Sequence, residues 1–252
     1  MTVAMPILSA WGHETCILPT AMLSTHTGGF GKPVVHHFDD ALEGIWRHWQ
    51  NNGITFDAIL VGYLGSIRAI HTAMDIIDHL LAPGGISIVD PAMADHGKLY
   101  SGFDEAYAEE MKVLCHRSEI ILPNITEAAM LSGLPYREVM DEDYVNSLLN
   151  GLEHPNVVLT GVGYQSDQTG AVLYQQGRTE HISQPKLGGS FHGTGDIFAA
   201  CFTGSLMSGN NMTDSVKNAA EFTKNAIQNT LIHPAHWYGV KFEPLLATLK
   251  GM

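Results

Sequence analysis

GGSFHGTGDIFAA, residues 188–200, places a glycine-rich turn directly before an apolar run that is long enough for a buried helix. The start of a helix exposes unpaired N–H groups, and glycines there let a phosphate reach the bare backbone. We expect Asp196, in the first turn, to cap this helix and to direct its carboxylate at the same place. That carboxylate could accept the proton of an alcohol attacking a phosphoryl group. The alternative is an ordinary glycine turn with a first-turn acid, since short glycine motifs often occur by chance.

The composition limits the partners that this chain can have. Its 252 residues are 45% hydrophobic and 15% charged, which suits a single globular domain over residues 1–252 with a substantial core. The net charge of −13 argues against a nucleic-acid partner, because such proteins usually carry a basic face. The three cysteines lie far apart and indicate reduced residues of a cytoplasmic protein. No run is apolar long enough to span a bilayer, so we expect no membrane partner.

Hydrophobic patterning predicts strands that alternate with helices. Strands are predicted over 14–23 (made irregular by Pro19), 57–64, 86–89, 119–122 and 157–160, with a hairpin over 171–174 and 179–183. Helices are predicted over 2–11, 38–50, 66 to the Pro83-Gly84-Gly85 turn, 104–115, 124–131 and 141–151, and after the glycine motif to residue 249. This alternation implies an α/β fold with a mostly parallel sheet and helices on both faces. Ligands of such folds bind beyond the carboxyl ends of the strands.

Four further segments narrow the function: STHTGGF (24–30), GYLGS (62–66), DPAMADHGKLY (90–100) and PNITEA (123–128). Together with the GTGD motif at 193–196, these segments resemble the pyridoxal kinases of the ribokinase-like superfamily. The motifs occur in the same order as in that family, and the resemblance extends over nearly the whole chain. The resemblance implies a ribokinase-like fold. It also implies ATP-dependent phosphorylation of the 5′-hydroxymethyl group of pyridoxal, pyridoxine or pyridoxamine, the B6 vitamers.

The resemblance also implies a catalytic centre at the opening motif. Asp196 would be the base that takes the proton of the substrate hydroxyl, and Gly193, Thr194 and Gly195 would form an anion hole for the transferring phosphoryl group. Contacts with ATP are implied for Asp90, Asn124, Thr160, Gly161, Gly193 and Gly195. Contacts with the substrate are implied for His26, Thr27, Tyr63 and Asp196.

A magnesium site is expected from three carboxylates. Asp90 and Asp95 follow a predicted strand, and Glu127 lies in the PNITEA segment. Carboxylates suit Mg²⁺ either directly or through water. The alternative for each is a capping or solvated role. Asn124 and Glu127 have the spacing of a capping box, and capping is a sufficient explanation for Asn124 as well. A monovalent cation such as K⁺ is a further expected cofactor.

The start of the chain departs from the resembled family, which usually begins with a strand and a Ser- and Gly-containing loop that contacts the ring. Here Met1-Thr2-Val3 begins almost in the first helix. We therefore expect the first strand and one ring-contacting loop to be absent. Either the start codon was assigned too late, or the chain lacks part of its sheet and substrate pocket. The expected sign is an exposed strand edge or a pocket open near residues 1–5.

The family is usually dimeric and many apolar residues must be covered, so we expect a homodimer. A hydroxymethylpyrimidine kinase is the nearest alternative, because it shares the 193–196 motif. A non-catalytic vitamer-binding protein is another alternative, suggested by the short start.

Overall fold

A computed structural model of the chain describes residues 2–26, 30–189, 191–233 and 235–251. In chain order its elements are α1 (Ala4–Trp11), β1 (Ala21–Leu23), β2 (Val35–His37), α2 (Asp39–Asn51), β3 (Phe56–Val61), α3 (Ile67–Leu80), β4 (Leu81–Val89), β5 (Ala94–Asp95), β6 (Lys98–Leu99), α4 (Glu105–Arg117), β7 (Ile120–Ile121), α5 (Ile125–Ser132), α6 (Glu142–Gly151), β8 (Asn156–Thr160), β9 (Gln168–Gln175), β10 (Arg178–Pro185), α7 (Thr194–Met207), α8 (Met212–Leu231) and a 3₁₀ helix (Glu243–Gly251).

The chain forms two compact units. The larger unit comprises Leu18–Gly161 and Tyr174–Thr179. The smaller unit comprises Met1–Ile17, Val162–Leu173 and Glu180–Met252. Among the described residues, no helix is long and apolar enough to cross a membrane.

A sheet organises the larger unit. Strands β3, β4, β7 and β8 pair in parallel, and the turn end of the β9–β10 hairpin continues the sheet to give the order β10-β9-β8-β7-β4-β3. Ile88, Val89 and residues 157–159 are fully buried, as continuous apolar strands of parallel sheets are. Within the described residues, β3 pairs with β4 alone and lies at one edge. The α/β fold class and the mostly parallel sheet are thereby confirmed.

The smaller unit is built around α7. Every residue from Ile197 to Ser205 is buried, which confirms the buried helix predicted after the glycine motif. Helix α1 packs against it where a Cβ at Gly204 would overlap the indole of Trp11, so only glycine fits at this position. The imidazole Nε2 of His13 lies 2.9 Å from the Gly204 carbonyl oxygen.

Three expectations of local structure were wrong. The strand predicted over 14–23 is regular only at β1, which pairs antiparallel with β2, a strand that the pattern did not predict. Strand β4 runs through the Pro83-Gly84-Gly85 turn that was expected to precede it, and its register with β3 shifts between Phe56 and Ala58. Such an irregularity accommodates a proline, which cannot donate to the ladder. The last helical segment is 3₁₀ rather than α.

Candidate active site

Loops at the carboxyl ends of the parallel strands carry most of the predicted residues of the larger unit. The backbone N–H of Asp90 donates to the Val61 carbonyl over 2.8 Å, so the 62–66 turn and the loop after β4 leave the sheet side by side. Asn124, which follows β7, forms an isolated parallel bridge with Thr160, the last residue of β8. Gly161 follows with φ +76°, a backbone conformation that favours glycine. Asn124, Thr160 and Gly161 therefore come together as neighbours.

The loop after Asp90 has an unusual backbone. Asp90 is half-buried, and its Oδ1 accepts a hydrogen bond from the Ala92 N–H over 3.3 Å. Ala92 has φ +37° and His96 has φ +49°, in the left-handed region that non-glycine residues seldom adopt. Such a conformation costs about 1–3 kcal/mol and persists only where the surroundings hold it in place.

Glu127 holds the backbone of this loop in place through hydrogen bonds. Its side chain is buried, with the residue only 1% exposed, and its Oε1 accepts from the Met93 N–H over 2.9 Å. Oε2 accepts from the Asn124 N–H over 2.9 Å, while Asn124 Oδ1 accepts from the Glu127 N–H and completes the predicted capping box of α5. Asn124 Nδ2 also donates to the Ala94 carbonyl over 2.8 Å. The start of α5 therefore fixes the 92–94 backbone.

Opposing effects set the pKa of Glu127. Burial raises this pKa to about 7, and hydrogen bonds from the backbone N–H groups of Asn124, Met93 and Ala94 limit the rise. The nearby charge of Asp95 also contributes to this raised value.

The three predicted magnesium carboxylates have different surroundings. Asp95 is exposed, and its Oδ1 accepts from the His96 N–H over 2.8 Å. Within the described ranges, no three or more His, Cys, Asp or Glu side chains are grouped so that they could hold a metal. The carboxylates of Asp90 and Asp95 still have the oxygen chemistry that Mg²⁺ prefers. Both Glu127 oxygens already accept backbone N–H groups, so the geometry makes this residue an anchor of the loop, and its role in metal binding stays a prediction.

An aromatic stack, Tyr63–Phe103–Tyr107, lies beside these loops. The Tyr63 and Phe103 ring centroids are 5.5 Å apart, and the Phe103 and Tyr107 rings stack at 3.8 Å with an interplanar angle of 5°. Tyr63 is half-buried, which raises the pKa of its hydroxyl, and its carbonyl accepts from Thr20 Oγ1 over 3.2 Å. Sequence reasoning found Tyr63 but missed Phe103 and Tyr107. The sequence offered one indication of this contact, because Phe103 and Tyr107 are aromatic residues four positions apart at the start of a predicted helix.

The remaining predicted substrate contacts lie in the 24–30 segment. His26 is half-buried, and its ring meets the Phe30 ring edge-on with centroids 4.8 Å apart. Thr27 lies outside the described residues.

The smaller unit contains the GTGD motif. Gly193, with φ +87°, is the N-cap residue of α7, and Thr194, Gly195 and Asp196 form the first turn. A Cβ at Gly193 or Gly195 would meet no atom of the described residues within 4 Å, so there is room for an anion beside this backbone. The expectation that Asp196 caps the helix was wrong, because the N-cap residue is Gly193 and Asp196 lies three residues further on.

Asp196 is solvent-accessible, although protein surrounds it on other sides. This partial burial raises the pKa of its carboxyl.

The chain is similar to known proteins in both sequence and fold. The model of the phosphomethylpyrimidine kinase family matches residues 41–240. A pyridoxal kinase of Arabidopsis thaliana is 27% identical over 240 residues, which are 89% of this chain and 74% of the relative. The crystal structure of pyridoxal kinase from Lactobacillus plantarum has a TM-score of 0.89 and 31% identity, covering 98% of this chain and 89% of that one. A candidate phosphomethylpyrimidine kinase from Bacteroides thetaiotaomicron, crystallised with pyridoxal, has a TM-score of 0.90 and 31% identity, covering 99% and 90%.

Proposed function

Because the chain belongs to the phosphomethylpyrimidine kinase family, we propose that it phosphorylates the 5′-hydroxymethyl group of pyridoxal, pyridoxine or pyridoxamine with ATP. Two of the relatives described above are pyridoxal kinases. A third relative was crystallised with pyridoxal. These three likenesses support a B6 vitamer as the substrate.

The observation that carries the proposal is the position of Asp196, directly after the left-handed Gly193 turn and accessible to solvent. A carboxylate that is not used as a helix cap can take the proton of the substrate hydroxyl. The raised pKa makes it a stronger base than an ordinary aspartate. The N–H groups of Gly193, Thr194 and Gly195 bind the transferring phosphoryl group, and the helix dipole favours its negative charge.

The other residues hold the nucleotide and its metal. Asp90 and Asp95 supply oxygen ligands for Mg²⁺, directly or through water, and Glu127 keeps their loop in shape. When bound, Mg²⁺ neutralises charge on the phosphates. Asn124, Thr160 and Gly161 contact ATP. Gly193 and Gly195 have the same proposed role. A monovalent cation such as K⁺ completes the proposed cofactors.

The ring of the vitamer is held by aromatic and polar contacts. Tyr63 presents a half-buried ring on which the pyridine can stack. His26 and Thr27 contact the ring substituents. We propose a single kinase domain, and we place the enzyme in the cytoplasm as a homodimer.

A hydroxymethylpyrimidine kinase is the second candidate, favoured by the description of the matching family. The machinery around Asp196 would serve either reaction, because both transfer a phosphoryl group to a hydroxymethyl substituent of an aromatic ring. The choice between them therefore depends on how well the ring fits against Tyr63 and His26.

A turnover assay separates these functions. The protein is supplied with Mg-ATP and, in separate reactions, three B6 vitamers, hydroxymethylpyrimidine and a sugar, and ADP release is measured. We expect the highest kcat/KM for a B6 vitamer. A higher value for hydroxymethylpyrimidine would transfer the assignment to the second candidate. Vitamer binding without any turnover would indicate a binding protein.

A further inference from the structure

Phe103 is the middle ring of the stack Tyr63–Phe103–Tyr107. It is half-buried and lies in the loop that begins at Asp90, just before Asp104 caps α4 by accepting from the Tyr107 N–H over 3.0 Å. The Phe103 N–H donates to the Tyr100 carbonyl over 3.1 Å, and the Tyr100 N–H donates to the Met93 carbonyl over 2.8 Å. The backbone of this loop therefore places the Phe103 ring.

Tyr107 is the ring at the other end of the stack, opposite Tyr63. The residue is 3% exposed, and its hydroxyl has no hydrogen-bond partner in the part of the chain that the structure describes. Burial raises the pKa of this hydroxyl, and the nearby backbone N–H groups of Gly65 and Leu64 partly offset the rise. Tyr107 thus lies against the turn that carries Tyr63, while its ring supports Phe103.

The opposite side of that turn is packed as well. A Cβ at Gly65, which has φ +81°, would come within 3.2 Å of the Ala21 Cβ and 3.3 Å of the His37 ring. The backbone of the turn is held from both sides, whereas the Tyr63 ring has Phe103 as its aromatic neighbour. The orientation of the Tyr63 ring therefore depends on Phe103.

We propose that Phe103 is a positioning residue for substrate binding, which acts by holding the Tyr63 ring in the orientation that accepts the substrate ring. This inference rests on the proposed function, because it takes Tyr63 as the contact with the substrate ring. It assigns Phe103 an effect on affinity for the ring substrate and none on affinity for ATP.

The test is a double-mutant cycle with Phe103→Leu and Tyr63→Leu. Pyridoxal binding is measured directly by equilibrium titration, and the KM for pyridoxal, the KM for ATP and the melting temperature are measured in parallel. We expect Phe103→Leu alone to weaken pyridoxal binding by about two- to tenfold, the usual worth of one aromatic pair. The KM for ATP should not change. In the Tyr63→Leu background, Phe103→Leu should add nothing, because it acts through the Tyr63 ring.

Two further variants control for general destabilisation. Phe56→Leu removes a different aromatic contact of the larger unit, with Trp49 at 5.6 Å, and should lower the melting temperature without changing pyridoxal affinity. Phe103→Tyr preserves the ring and should restore affinity. Unchanged pyridoxal binding in Phe103→Leu would overturn the proposal, and so would an equal loss in both Tyr63 backgrounds.

Failure of the proposed function gives a different result. If the wild-type protein binds hydroxymethylpyrimidine and no B6 vitamer, that function is wrong, and the same cycle is measured with the pyrimidine ring. A loss that depends on Tyr63 then supports the role of Phe103, and a loss independent of Tyr63 overturns it. A wild-type protein that binds neither ring overturns both.

Discussion

Asp196 lies in the first turn of α7, three residues after the N-cap residue Gly193. Asp196→Asn keeps the size of the side chain and removes the base, so we expect kcat to fall by about 10²-fold or more with nucleotide affinity retained. In the wild type the base must be ionised, and its pKa is raised, so turnover should fall as the pH drops through a value above that of an ordinary aspartate. Steady-state kinetics across pH measures both effects. Near-normal turnover of Asp196→Asn would show that another group is the base.

At the residue scale, the chemistry was more predictable than the contacts. The GTGD spacing placed Asp196 in the first turn of a buried helix, and the PNITEA segment predicted the capping box between Asn124 and Glu127. The sequence did not show that Glu127 also accepts from Met93, or that Phe103 reaches Tyr63. Those pairs are distant in the chain, and only the path of the 90–104 loop brings them together.

At the scale of elements, the start of α5 is hydrogen-bonded to the loop after Asp90. Asn124→Ala removes the cap and leaves the fully buried Ala94 carbonyl without its side-chain donor. Asp141→Ala removes only the exposed cap of α6, where Asp141 Oδ1 accepts from the Tyr144 N–H over 2.7 Å. We expect losses in the free energy of unfolding of about 1 kcal/mol for Asp141→Ala and about 2 kcal/mol or more for Asn124→Ala. Urea unfolding measures both, and equal losses would mean that the contact with the loop contributes nothing.

The elements themselves differ in how clearly the sequence predicts them. Strands β3, β4 and β8 were predicted because they are continuous apolar runs that become buried in a parallel sheet. Strand β2 was missed because all three of its residues, Val35–His37, are exposed and give no pattern of burial. It exists through pairing with β1, a contact that hydrophobic periodicity does not report.

For the whole molecule, the net charge of −13 means that ATP must be bound without a basic surface. We therefore expect nucleotide affinity to depend on Mg²⁺ far more than on ionic strength. Calorimetric titration with ATP in the presence of Mg²⁺, a chelator or added salt measures this. Strong salt dependence together with indifference to chelation would contradict the proposed binding mode.

The oligomeric state belongs to the same scale. Several large apolar side chains are exposed on the described surface, among them Met22, Val34 and Val35 at 58%, 76% and 38%. Covering such residues favours association, and a closed two-fold dimer is the commonest outcome. We expect light scattering to give the mass of a dimer at micromolar concentrations. A monomer at every concentration would refute the dimer.

The carboxylate of Glu127 also couples the solvent exposure of two backbone amides that lie far apart in the chain. The Met93 and Asn124 N–H groups both donate to it, one from the strained loop and one from the start of α5. Neither amide can become exposed by fraying of its own segment as long as this side chain stays in place. Hydrogen–deuterium exchange should therefore give both the same opening free energy, that of the opening that removes Glu127. The loop after Asp90 and the first turn of α5 would then act as one cooperative unit.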